Sequence, residues 1–173
     1  MIKTNFIKFI FMGIFAITAC TNSIKNQKKD IEKTIKTLYS KELNYRTVDT
    51  SLISPTLISL FEKGKQKEMA SAESIRNSDH PTDKPDIIEG DIFSSLYEGV
   101  TDVKIKDIVI ADNQARVITV FSNNHYKLTW EEELLMIKTT SWKLDNVIYN
   151  PKNYSGGAKD LQELIKNHIK TTL

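Results

Sequence analysis

One cysteine, Cys20, is all the thiol chemistry this sequence carries. Outside that one position the chain has no thiol, so no disulfide framework, cysteine-based metal site or thiol catalysis is available to it. Histidine is nearly as scarce: His80, His125 and His168 are too far apart for metal-ligand spacing. No G-x-S-x-G nucleophile motif and no glycine-centred calcium loop is present. Metal and cofactor chemistry are accordingly not expected. Charge of one sign is lacking too, with 24 basic against 22 acidic residues. That balance gives no electrostatic footprint for nucleic acid. No apolar run reaches the roughly 20 residues that span a bilayer.

What is present begins with the N-terminus. Lys3 and Lys8 precede a short apolar stretch, Phe9 to Phe15, and the segment ends in Ile17-Thr18-Ala19-Cys20. A charged start, a short apolar middle and small residues before a cut describe a secretory signal. The tetrapeptide resembles the bacterial lipobox, which implies cleavage before Cys20 and acylation of its sulfur and new amine. Two or three acyl chains anchor a protein stably. The expectation is a signal peptide over 1–19 and a lipoprotein in the bacterial cell envelope. Thr21 after the cysteine points to the outer membrane, facing the periplasm, if the host is Gram-negative.

Removing 1–19 takes away Lys3 and Lys8 and leaves 22 basic and 22 acidic residues. The remaining 154 residues suffice for one domain with a core. Between Lys25 and Lys67 bases outnumber acids two to one, whereas 79–102 holds seven acids against Lys84. A basic stretch beside an anchor can touch anionic lipid, but the favoured reading is solvated helix faces and a polar loop.

Residues 20–29 read as a tether, and 30–173 as the domain. Ile31, Ile35, Leu38 and Tyr39 form a helical stripe. A second helix opens at Ser54-Pro55, with Ser54 as N-cap and Pro55 at the first position. Leu57, Ile58, Phe61, Met69 and Ala72 are expected on its buried side, with a bend or early end at Gly64. Residues 78–100 are punctuated by Pro81, Pro85 and Gly90 and predict a long ordered loop with a helical turn near 93–97. Strands are expected at about 103–110, 115–122, 125–138 and 142–149, joined at Asp112-Asn113 and Asn123-Asn124. Asp160 caps a last helix with the stripe Leu161, Leu164, Ile165 and Ile169. The order predicts an α+β domain: a four-stranded antiparallel sheet on N-terminal helices, with a C-terminal helix.

Asp83, Lys84, Pro85, Gly90, Asp91 and Phe93, followed by Trp142, Lys143, Leu144, Asp145, Val147 and Tyr149, resemble two motifs of bacterial lipoproteins of the domain-of-unknown-function 3828 family. The resemblance spans roughly 30–170. It implies a cystatin-like cone similar to nuclear transport factor two, a curved antiparallel sheet wrapped on helices. That fold hosts enzymes, receptors and scaffolds, so it does not settle function.

On a regular third strand, Tyr126, Leu128, Trp130, Glu132, Leu134 and Met136 share one face. Glu132 then lies among apolar groups, with the raised pKa of a general acid or base. The favoured alternative is a bulge within Glu131-Glu132-Glu133 that turns the carboxylate outward. Phe93 and Tyr97 are expected to plug the long loop into the domain, or to wall a pocket with Trp130. Trp142 and Tyr149 fall on opposite parities, so only one is expected in the core. His168 is expected at the surface.

These readings favour a non-enzymatic module that binds a periplasmic protein through Asp83, Asp86 and Asp91, for example an inhibitor of a toxic effector. The alternatives are a small-ligand-binding lipoprotein and a cone enzyme using Glu132.

Overall fold

The structure, a computed structural model, describes residues 23–154 and 156–171. Cys20 and the expected signal peptide lie outside the described residues. Helix α1 covers 23–38. It starts seven residues before the expected boundary, so 23–29 is helix rather than tether. Ile31, Ile35 and Leu38 are buried along one side, and the i, i+4, i+7 spacing puts them there. Among the described residues no helix is long and apolar enough to cross a membrane.

Helix α2 is Pro55–Arg76. The Ser54 hydroxyl accepts the Leu57 N–H at 3.1 Å, which satisfies a first-turn donor. The helix runs through Gly64 without a break, and Gly64 itself faces Tyr45 and Ile165. Its buried positions are Leu57, Phe61, Gly64, Glu68 and Ser71, while Met69 is exposed. The expected stripe had drifted by one residue. At about 100° per residue, position 68 returns to the face of Leu57 and position 69 does not.

Four strands follow: β1 Asp102–Ala111, β2 Gln114–Asn123, β3 Leu128–Lys138 and β4 Trp142–Ile148. They form an antiparallel sheet in the order β1-β2-β3-β4. Asp112, at φ 54°, makes the tight first turn. The second turn is longer than the sequence suggests. Asn123 still pairs with Leu128, so Asn124–Lys127 is the loop and Tyr126 lies in it rather than on β3.

No register shift interrupts β2 against β3, where Thr119 faces Glu132. The bulge expected at Glu131–Glu133 is absent, and Glu132 points into the core at 4 % exposure. The irregularity sits instead on β4, where Leu135 pairs with Asn146 but Met136 pairs with Leu144. Asp145 is the extra residue, and it resets the alternation of sides. Trp142 and Leu144 before it, and Val147 and Tyr149 after it, are therefore all buried. The expectation that Trp142 and Tyr149 must part company fails for this reason. A second shift in β1, around Lys106, puts Ile105 and Ile108 on one face.

Helix α3 is Leu161–Lys170. Asp160 Oδ1 accepts the Glu163 N–H at 2.8 Å, and Glu163 reaches back to the Lys159 N–H. Leu161 and Ile165 are fully buried. The fold is α+β, with helices covering one face of an open four-stranded sheet. The backbone of Ile53 and Ser54 adds a short parallel contact to the β4 edge at Leu144. Between α2 and β1, residues 77–101 contain no helix or strand, and the expected helical turn at 93–97 does not form.

Candidate functional site

The long loop is ordered because its backbone is held by buried polar side chains. Phe93 is fully buried and meets Phe61 edge-on, with 5.7 Å between ring centroids. Tyr39, at the end of α1, donates its hydroxyl to Phe93 O at 2.7 Å. Tyr149, after β4, donates to Ile92 O at 2.7 Å. Glu132 Oε1 accepts the Ser95 N–H at 2.7 Å, the Ser95 hydroxyl, and Trp130 Nε1–H at 2.9 Å. Side chains from the ends of α1 and β4 and from β3 thus grip the four-residue span Ile92 to Ser95. A buried loop backbone needs such partners, since an unpaired buried group costs about 1–3 kcal/mol.

Glu132 Oε2 is buried and has no partner. Burial pushes this carboxyl up to about 7, and the Asp91 charge adds to the effect. Asp91 is itself pushed up to about 7, by burial first, against hydrogen bonds from Phe93 N–H and Ser94 Oγ. Glu42 also raises it. Burial raises Tyr39 and Tyr149 as well, so both remain neutral donors.

The pocket expected from Phe93, Tyr97, Tyr126, Trp130 and Glu132 does not form, because the loop fills that space. Phe93, Trp130 and Glu132 come together beneath it. Tyr97 is 61 % exposed rather than a plug, and Tyr126 is exposed on the β2–β3 turn. The Tyr97 ring lies against Gly90, where an added Cβ would approach it to 2.4 Å. Of the three aspartates, only Asp83 is free on the surface. Asp86 is bound to Lys67 Nζ at 2.6 Å and lies 3.6 Å from His168 Nδ1. His168 is packed inward rather than exposed, and burial lowers its pKa. Asp91 is half-buried, with its carboxylate accepting from Phe93 N–H and Ser94 Oγ, rather than free on the loop surface.

A groove of 720 Å³ opens beside the clamped loop. Residues 41–46 form one wall, 87–91 and 97–101 another, and Asn123 and His125 close one end. Its exposed acids are Glu42, Glu89 and Glu98. Arg46 supplies little free positive charge, because it makes a two-pronged pair with Glu68 at 2.6 and 2.8 Å and also donates to Ile88 O. Glu89 is paired with Lys84. Glu42, Glu98 and the deeper Asp91 face Lys41 as the uncommitted cation of the lining. A smaller cleft of 280 Å³ on the far side of the loop is lined by Asp91, Ser94, Ser95, Tyr154 and Leu164, among others. Glu132 lines neither cleft. Among the described residues no group of three or more His, Cys, Asp or Glu could hold a metal ion.

Several of these residues escaped the sequence reading. Tyr39 was placed on a buried stripe, but its hydroxyl partner was not foreseeable. Glu68 could have been found from its spacing to Leu57 and Phe61. Glu42 and Glu98 carry no local signal; only the fold brings them to one groove.

No protein-family model, no curated protein and no solved structure matches the chain.

Proposed function

We propose that this protein is a lipid-anchored envelope protein that binds the basic segment of a partner protein in the groove beside the clamped loop. The observation that carries this reading is the division of labour among the carboxylates. Glu132 is consumed in holding Ser95 and has no path to either cleft, whereas Glu42 and Glu98 stand in an open groove with an exposed Tyr97. Exposed aromatic and acidic groups at a groove rim suit steering and recognition of a cationic chain. General acid–base catalysis requires a carboxyl within reach of a substrate proton, and Glu132 is sealed at 4 % exposure.

A second reading is favoured by the groove's size. A volume of 720 Å³ lies within the range of small-ligand sites, about 300–1,000 Å³, and a cationic small molecule meets the same charges. The resemblance to domain-of-unknown-function 3828 lipoproteins supports the envelope setting and leaves both readings available.

The test is photocrosslinking in cells of the source organism, with a photoreactive residue replacing Tyr97 or, as a control, the exposed Lys152. The reading expects one discrete protein adduct from position 97, lost when Glu42 and Glu98 are changed to Lys. Equal adducts from both positions, or none from position 97, would contradict it.

A further inference from the structure

Helix α1 presents a line of lysines on the side away from the domain. Lys25, Lys29, Lys33 and Lys36 are all exposed. At about 100° per residue they fall within an arc of roughly 80°. The opposite side carries Ile31 and Ile35, both fully buried, and Thr34 donates to Trp142 O at 3.2 Å. The helix is thereby fixed to the domain, and the lysines form a rigid row about 16 Å long. Glu32 is the one acid beside the row, 3.9 Å from Lys36, which leaves a net charge of three.

Chain length places this row. Two residues, Thr21 and Asn22, separate Cys20 from the start of α1 at 23, which makes three Cα steps. At 3.8 Å per Cα step, the helix begins no more than about 11 Å from the Cys20 α-carbon. A lysine side chain covers much of the remaining gap to headgroups, and the Debye length at physiological salt is about 8 Å.

We infer that α1 lies along an anionic phospholipid surface, its lysine row against the headgroups, so that the anchor and the helix together orient the domain. The inference rests on acylation of Cys20. An anchor alone allows the domain to tumble, whereas a second electrostatic contact fixes which side faces the bilayer. Each lysine near such a surface strengthens binding about fivefold. The exposed sheet surface that carries Lys104 is then held toward the aqueous side.

The test uses the full chain as expressed, purified in detergent and reconstituted into discs of phosphatidylcholine alone or of phosphatidylcholine rich in phosphatidylglycerol. Amine acylation is read lysine by lysine by mass spectrometry, with Lys104 as reference. Labelling of Lys25, Lys29, Lys33 and Lys36 is expected to fall about fivefold in anionic discs only, and to recover in high salt. Equal labelling in both discs overturns the inference, as does protection confined to Lys25, which would mean an upright helix. Lysines protected in cells but reactive in anionic discs would assign the row to a protein instead. The intact mass separates failure of the premise: a chain without acyl groups that does not enter the discs overturns the anchor and the inference with it. Changing Lys25, Lys29 and Lys36 to Gln on this exposed side should keep the melting temperature and abolish the protection of the remaining Lys33.

Discussion

Two buried carboxyls poised near neutrality make an unusual stability profile. Burial raises Glu132 from 4.5 to about 7 and Asp91 from 3.8 to about 7. Between roughly pH 4.5 and 7 the folded chain therefore holds protons that the unfolded chain has released. Stability from these groups is fully present below their unfolded values and is lost as pH rises through about 7. One pKa unit corresponds to about 1.4 kcal/mol, so Glu132 alone accounts for about 3 kcal/mol between pH 5 and pH 8. The two sites interact, so their losses do not simply add. Asp86 and His168 have the opposite sign. Asp86 is lowered, chiefly by its Lys67 hydrogen bond, and loses stability as pH falls through its folded value. His168 is lowered by burial and loses stability below 6.5. The first lies at lower pH, and the second softens the slope without reversing it. For a domain of this size, 3 kcal/mol is roughly 6–12 °C in melting temperature. Differential scanning calorimetry from pH 5 to pH 8 should record a drop of that order. Glu132→Gln, which cannot ionise, should remove its share and flatten the profile. A melting temperature that is level or rises over this range, or a variant that keeps the whole drop, refutes the account of the loop clamp.

Phe93→Ala should cost about 3–5 kcal/mol in urea unfolding, because the ring is fully buried against Phe61; a loss below about 1 kcal/mol would mean that the loop is not anchored there. Gly90→Ala should cost about 1–2 kcal/mol, since Gly90 has φ +73° and its Cβ would strike the Tyr97 ring; an unchanged melting temperature would contradict the placement of that ring. Cys20→Ser should abolish acylation, read as loss of the diacylglycerol from the intact mass. A variant mass that differs from the native one by no more than the side-chain change would sink the lipobox reading.

The α+β order was legible because each element carries its own period and punctuation: Ser54-Pro55 before α2, Asp112 at the first turn, Asp160 before α3. What was not legible depends on register. A single extra residue at Asp145 reverses which side of β4 faces inward, and nothing in Leu144-Asp145-Asn146 announces it. A bulge at the three adjacent glutamates suits a long curved strand with Leu135 and Ile137 on the opposite parity, yet β3 pairs with β2 without one. Glu132 is accommodated there by Ser95 and Trp130, partners that only the tertiary fold supplies. Asp86 and Asp91 looked like free loop acids for the same reason. Lys67 is brought to Asp86 by the loop's path across α2, whereas Asp91 bonds its own neighbours Phe93 and Ser94 and is drawn inward by the packing of the loop.

The central claim is that the groove rim recognises a partner while Glu132 serves only the loop. Isothermal titration of the soluble domain with the crosslinked partner tests it directly. The account predicts that Glu42→Lys with Glu98→Lys raises Kd by about tenfold or more, roughly 1.4 kcal/mol, while Glu132→Gln leaves Kd unchanged at a pH where both variants are folded. Binding lost with Glu132→Gln and untouched by the two charge reversals would contradict it.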